Sequence, residues 1–177
     1  MKAPTLRPRT AVAAVAILAA VAVGAATTGS SAAQDPPPPI VVTPLTPRNV
    51  VTDKVTVKYT IKLDGHRKQM VVKSGDPSRL VVAEITVQPG AKFPWHYHPG
   101  PVVVNVAQGE LTYVMAHDCK HRPYAAGTSF VDPGNMIHSA YGSSDEVTVL
   151  IATFHDVPET GPLTITEGVE APKRCVI

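Results

Sequence analysis

Apolar and polar residues alternate along this chain in short runs divided by glycine and proline. Val55, Val57, Tyr59, Ile61 and Leu63 alternate with Thr56, Lys58, Thr60 and Lys62, the period of two expected of a strand with one buried face. Asp64-Gly65 supplies a turn, and residues 69–73 read as the returning strand. Further strands are predicted at 80–87, 102–107, 111–116, 129–131 and 147–154, interrupted by Pro89-Gly90, Gln108-Gly109 and Pro133-Gly134. Past residue 33 no segment sustains a helical apolar period with capping residues. Many short strands separated by turn residues predict an all-β, antiparallel sandwich or barrel.

The ends of the chain have a different composition. Lys2, Arg7 and Arg9 precede an uninterrupted apolar run at 11–26, and Ser31-Ala32-Ala33 offers small residues at a cleavage point. Residues 1–33 therefore read as a Sec-type signal peptide, and the protein is expected to be secreted or otherwise extracytoplasmic. The apolar run falls short of the roughly 20 residues that span a bilayer comfortably, so cleavage is expected over anchoring. Residues 34–49 open on Gln34-Asp35 and four consecutive prolines, with Pro44 and Pro47 following, and read as a stiff, extended tether. The barrel is assigned to 50–157 and a C-terminal tail to 158–177. The 144 residues after the signal segment suit one domain.

Charge narrows the partners. Sixteen Lys and Arg face fourteen Asp and Glu, a formal +2. Lys2, Arg7 and Arg9 belong to the signal segment; without them thirteen basic residues face fourteen acidic ones, a net −1. The clusters His66-Arg67-Lys68 and Lys120-His121-Arg122 are short and lie beside turn signals, so they read as solvated loops. No nucleic-acid partner is expected. The two cysteines, Cys119 and Cys175, fit one disulfide in an oxidising compartment. The alternative is a second metal site from His117, Cys119 and His121, which alternate at spacing two in a stretch that looks like an exposed loop.

The strongest chemical signal is His96 and His98, which point to one face if their segment is extended. Paired neutral imidazoles on a rigid segment suit a divalent transition metal. Their surroundings resemble the two motifs of the cupin family. Gly90, His96, His98, Val102 and Gly109 keep the spacing of the first motif, with valine where the family has glutamate. Gly127, Pro133, Asn135, His138 and Gly142 keep that of the second, with Asn135 in place of a glycine and Gly142 in place of an asparagine. Asn135 tolerates positive φ better than most residues.

The resemblance spans roughly residues 79–155, about half of the chain beyond the signal segment. It implies a single jelly-roll β-barrel holding one divalent transition metal through His96, His98 and His138. Fe, Mn, Zn, Ni and Cu are not distinguished by these residues. It also implies a homodimer, because an N-terminal strand of comparable cupins commonly pairs with a partner subunit.

Val102 shapes the expected chemistry. Three neutral imidazoles leave the full charge of the cation and some of its coordination positions open, which favours an anionic or chelating small-molecule ligand such as a thiolate, enolate or carboxylate. Three-histidine cupins of this kind include ferrous thiol dioxygenases. A small-molecule dioxygenase or an isomerase is therefore implied, the alternatives being a non-catalytic ligand-binding cup or an envelope interaction module. Val102, Tyr113 and Met136 are the candidate pocket residues. Tyr97 is expected on the opposite face, and His155 in the loop after the last strand. No Ser-His-Asp order, P-loop or dinucleotide fingerprint is present.

Overall fold

The alternation read at 80–87, 102–107 and 147–154 is realised as three long strands lying side by side. The computed structural model describes residues 39–177; the signal segment expected at 1–33 lies outside the described residues. In chain order the strands are β1 (Ile40–Pro44), β2 (Asn49–Val50), β3 (Lys58–Ile61), β4 (Met70–Lys73), β5 (Arg79–Val87) and β6 (Val102–Gln108). They continue with β7 (Glu110–Met115), β8 (His121–Ala125), β9 (Ser129–Asp132), β10 (His138–Gly142) and β11 (Thr148–His155). The described residues contain no helix, and every strand pairing is antiparallel.

The larger sheet runs β1-β5-β11-β6-β9, with β2 also paired to β5; the smaller runs β10-β7-β8, and β3-β4 form a separate hairpin. Period-two burial explains why the long strands sit where they do. Val81, Ala83, Ile85 and Val87 of β5, Val102, Val104 and Val106 of β6, and Leu150, Ala152 and Phe154 of β11 all face inward. They meet Leu111, Tyr113 and Met115 of β7 and Ala140 of β10 in one core. Each fully buried Val, Leu, Ile or Phe contributes about 1.5–3 kcal/mol, so this shared interior holds the two sheets face to face. The all-β jelly roll is as expected.

Four local readings are corrected. Regular structure begins inside the stretch read as a tether, because Ile40-Val41-Val42-Thr43 is a β-branched run that pairs with β5 from Ile40↔Val87 to Pro44↔Ala83. Its place at the sheet edge explains how prolines are tolerated around it. The stretch at 117–123, read as loop, contains the start of β8, and Pro123 is accommodated because β8 is also an edge strand. The strand expected from Val55 is shorter, since Val55 is exposed and only Lys58–Ile61 finds a partner. His155 ends β11 opposite Leu80 rather than lying in a loop.

The turn between β9 and β10 is tightly fitted. Gly134 has φ +69°, and a Cβ there would collide with the backbone of Gly100. Asn135 follows at φ 50°, and its Nδ2 donates to the Pro99 carbonyl at 2.8 Å. The turn is thereby seated on the chain that leads from His98 into β6.

Cys119 and Cys175 form a disulfide with Cα atoms 5.1 Å apart, which rules out Cys119 as a metal ligand beside His117 and His121. The bond fastens the C-terminus to the end of β7, where Arg174 also donates to the His117 carbonyl at 2.5 Å. Protein prepared without reductant is expected to show no titratable thiol. Reduction, or Cys175→Ser, should cost up to about 4 kcal/mol by the loop-closure model. Urea unfolding with and without reductant reads this directly, and identical midpoints would contradict it.

Candidate metal centre

His96 and His138 face each other across a two-way backbone pair. The His96 N–H donates to the His138 carbonyl and the His138 N–H to the His96 carbonyl, each at 2.9 Å. The pairing continues at Phe93 N–H to the Ala140 carbonyl, 2.8 Å, so the chain before His96 runs antiparallel to β10. His98, two residues on, presents its ring to the same side. Ring centroids lie 4.2 Å apart for His96–His138, 4.9 Å for His96–His98 and 5.1 Å for His98–His138. One nitrogen from each ring lies within 4.8 Å of the others, so the three can hold a single ion.

Hydrogen bonds settle which nitrogen is free. The Nδ1 of His96 lies 2.7 Å from the Pro94 carbonyl, that of His98 2.8 Å from the Leu163 carbonyl, and that of His138 3.0 Å from the Met136 carbonyl. A carbonyl oxygen only accepts, so each Nδ1 carries the proton and each Nε2 keeps its lone pair. This is the tautomer and orientation a metal-binding imidazole needs. Burial also keeps the rings of His96 and His98 neutral. Desolvation, reinforced by the neighbouring His138 and His98, pushes His96 down to about 3. Desolvation lowers His98 as well, opposed by the charge of Asp132. The donor set and its protonation state both fit a divalent transition metal.

Two residues behind His138 complete the arrangement. Asp132 is 2% exposed, and its Oδ2 lies 3.0 Å from His138 Nδ1 and 2.8 Å from the Tyr113 hydroxyl, which donates to it. Its Oδ1 accepts from the Gly134 N–H at 2.6 Å. Burial and the adjacent carboxylate raise Tyr113 well above the ordinary phenol value, so it stays a protonated donor. Sequence reasoning placed Tyr113 near the pocket but missed Asp132. The available signal was its position just before Pro133-Gly134, where an Asx-type bond to the turn is common.

The histidines open into an apolar cup of about 110 Å³. Val102 and Tyr113 line it as expected, with Phe93, Phe130, Phe154 and Leu163 among its other walls. Met136 is corrected: it is not a wall of the cup and contributes its carbonyl to His138 instead. Tyr97 lies outside, its backbone paired with Ile165. The tail thus supplies Leu163 twice, as a wall and as the acceptor that orients His98.

A second cluster brings together His66, His117 and Asp118 near the disulfide. The Asp118 carboxylate is already engaged by both terminal nitrogens of Arg122, at 2.5 and 3.3 Å, so its charge is matched without a cation.

Residues 83–154 match the cupin domain family, a span that contains both motifs. Among solved structures, a cupin-like protein of Thermotoga maritima is 28% identical over 42% of this chain and 55% of its own, with a TM-score of 0.39. Oxalate oxidase is 24% identical over 43% of this chain and 41% of its own, at 0.39. The cupin domain of an XRE family transcriptional regulator of Enterobacter cloacae is 20% identical, over 68% of this chain and all of its own, at 0.44. This chain thus spans about half the length of the first two. No curated protein matches it.

The depressed histidines set a pH dependence for the metal-free protein. Between about 3 and the ordinary histidine value of 6.5, the unfolded chain takes up a proton at position 96 that the folded chain refuses. The unfolded state binds more protons across this window, so stability rises with pH within it and is lost as pH falls below 6.5. The slope is up to about 1.4 kcal/mol per pH unit for each such histidine. Unfolding midpoints of metal-free protein should therefore drop between about pH 7 and about pH 5, and a flat profile would contradict the burial argument.

Proposed function

We propose that this chain, a member of the cupin superfamily through its domain at residues 83–154, is an extracytoplasmic, metal-dependent dioxygenase of a small chelating molecule. The observation that carries the reading is the convergence of three buried imidazoles, each with Nδ1 committed and Nε2 free, on an apolar cup. His96, His98 and His138 would hold one divalent transition metal. Bound there, it would supply Lewis acidity and the centre at which dioxygen and substrate meet.

The remaining roles belong to the protein's own side chains. Phe93, Phe130, Phe154 and Leu163 exclude water and pack against an apolar body, while only a charged or chelating head suits the floor. Among the described residues no lysine or arginine lines the cup, so an anionic head would have the metal as its partner. An isomerase needs a free group to carry a proton between substrate atoms. Here Tyr113 is tied to Asp132, Asp132 to His138, and every Nδ1 to a carbonyl. That commitment favours incorporation of both atoms of dioxygen over proton shuttling.

Export is supported by the disulfide, which suits an oxidising compartment. A homodimer is supported by β1, a strand at the open edge of the larger sheet. Light scattering at twice the chain mass would agree with it, and a monomer at micromolar concentration would not.

Metal analysis and oxygen uptake test the function together. Wild type should retain one metal per chain, and Ala at His96, His98 or His138 should abolish retention, whereas Ala at His66 or His121 should not. The ferrous protein should consume oxygen with at least one member of a panel of enolisable β-dicarbonyls, small thiols and carboxylates with apolar bodies. Binding without oxygen uptake would favour the non-catalytic cup, and equal metal content in all five variants would remove the metal reading. Val102→Glu should tighten metal retention and weaken the anionic ligand, because a carboxylate would occupy an open position and cancel charge. A destabilised variant with no metal gain would point to a metal-free pocket.

A further inference from the structure

We infer that Asp132 supplies, from behind His138, the negative charge that a glutamate at position 102 would supply by direct ligation. The inference rests on the three-histidine metal reading and goes beyond it by assigning the missing charge to a positioning residue. Val102 and Asp132 are cross-strand partners in the β6–β9 pairing, so the carboxylate lies directly across from the position where the family's first motif carries its acid. The chain has moved the charge to the neighbouring strand rather than dispensed with it.

Three features support this assignment. Asp132 accepts from the Tyr113 hydroxyl and the Gly134 N–H, and its Oδ2 lies 3.0 Å from His138 Nδ1, surroundings that suit an ionised carboxylate. No lysine or arginine pairs with it among the described residues, although it is 2% exposed. A buried carboxylate without a cation is costly, and the position open to a cation is the one the three free Nε2 atoms surround. Among the described residues His138 is also the only ligand of the three with a carboxylate at its Nδ1, so its Nε2 is the most electron-rich of the set. His98 lies within reach of the same field.

A consequence follows for the ligand. A divalent ion at this site has one charge offset by Asp132, and the loaded cup carries one net positive charge. A monoanionic head then matches the cup, whereas a dianion leaves one charge uncompensated among apolar walls.

The test is zinc affinity by competition titration, with the cobalt absorption spectrum as a second readout. Asp132→Asn keeps the shape and removes the charge; zinc affinity should fall about 10–100-fold and the cobalt bands should shift. Adding Val102→Glu to Asp132→Asn should restore most of the affinity, because a charge then returns to the site. Equal affinity in wild type and Asp132→Asn would overturn the inference while leaving the metal site standing. Failure of the double variant to recover would also overturn it, leaving Asp132 a purely structural residue. A wild type that takes up no zinc would remove the metal reading and this inference with it. Should Asp132→Asn not fold, proton NMR of wild-type zinc protein decides: the Nδ1 proton of His138 should resonate downfield of those of His96 and His98, and three alike would overturn the assignment.

Discussion

Two hydrogen bonds, His96 N–H to the His138 carbonyl and the reverse, tie the segment carrying two of the imidazoles to the first residue of β10. Everything else at the site depends on that tie. His98 follows in the same extended stretch, so its ring direction is set once His96 is paired. Past His98 the chain passes Pro99, Gly100 and Pro101 into β6, and the β9–β10 turn is seated on this stretch through Gly134 and Asn135. The two motifs, with His98 and His138 forty residues apart in sequence, therefore meet at their histidines and again at their turns. A residue larger than glycine at 134 would separate the second contact and disturb the first.

This geometry concentrates polar groups where the surrounding core is least able to solvate them. Three imidazoles with centroids no more than 5.1 Å apart, a carboxylate and a phenol share an interior otherwise walled by valine, leucine and phenylalanine. Every side-chain nitrogen and oxygen wholly enclosed by the described residues nevertheless has a partner, the three Nε2 atoms that face the cup standing apart. The Nδ1 atoms and the Asp132 carboxylate behind the cup are thus satisfied in hydrogen bonds, while the three Nε2 lone pairs face inward. Structural polar clusters normally close on themselves, as Asp118 does with Arg122 near the disulfide. An open cluster of this sort is one that could hold a cation.

How much of this was legible in the chain follows from which forces act locally. The strands at β5, β6 and β11 were visible because each buries every second residue, and alternation is a property of the strand alone. The histidines were visible because spacing two and the flanking turn residues are also local. β1 and β8 were obscured by their prolines, since tolerance of a proline depends on which strand ends at the sheet edge. Asp132 was obscured for a related reason. Its importance comes from pairing across to Val102 and backward to His138, and the register that creates those neighbours is not written in residues 129–132. Met136 shows the converse error, where a side chain near the site proved less relevant than its carbonyl.

His98 extends this distinction to the tail. The acceptors behind His96 and His138 are the carbonyls of Pro94 and Met136, each two residues earlier, so the local chain orients those rings. The acceptor behind His98 is Leu163, sixty-five residues away. That ring alone depends on a distant segment being in place, and an imidazole without its Nδ1 acceptor can shift to the tautomer whose Nε2 carries the proton and cannot ligate through it. The segment has little regular structure of its own; the Tyr97–Ile165 bridge, the contact of Leu163 with the cup and the donations of Arg48 to the Pro158 and Gly161 carbonyls hold it. Its far end is fastened by the Cys119–Cys175 disulfide to the end of β7, the strand that also carries Tyr113. The covalent bond limits how far the tail can drift from His98 when its weaker contacts open. The disulfide therefore bears on the orientation of His98 as well as on global stability, and the tail is part of the candidate metal centre.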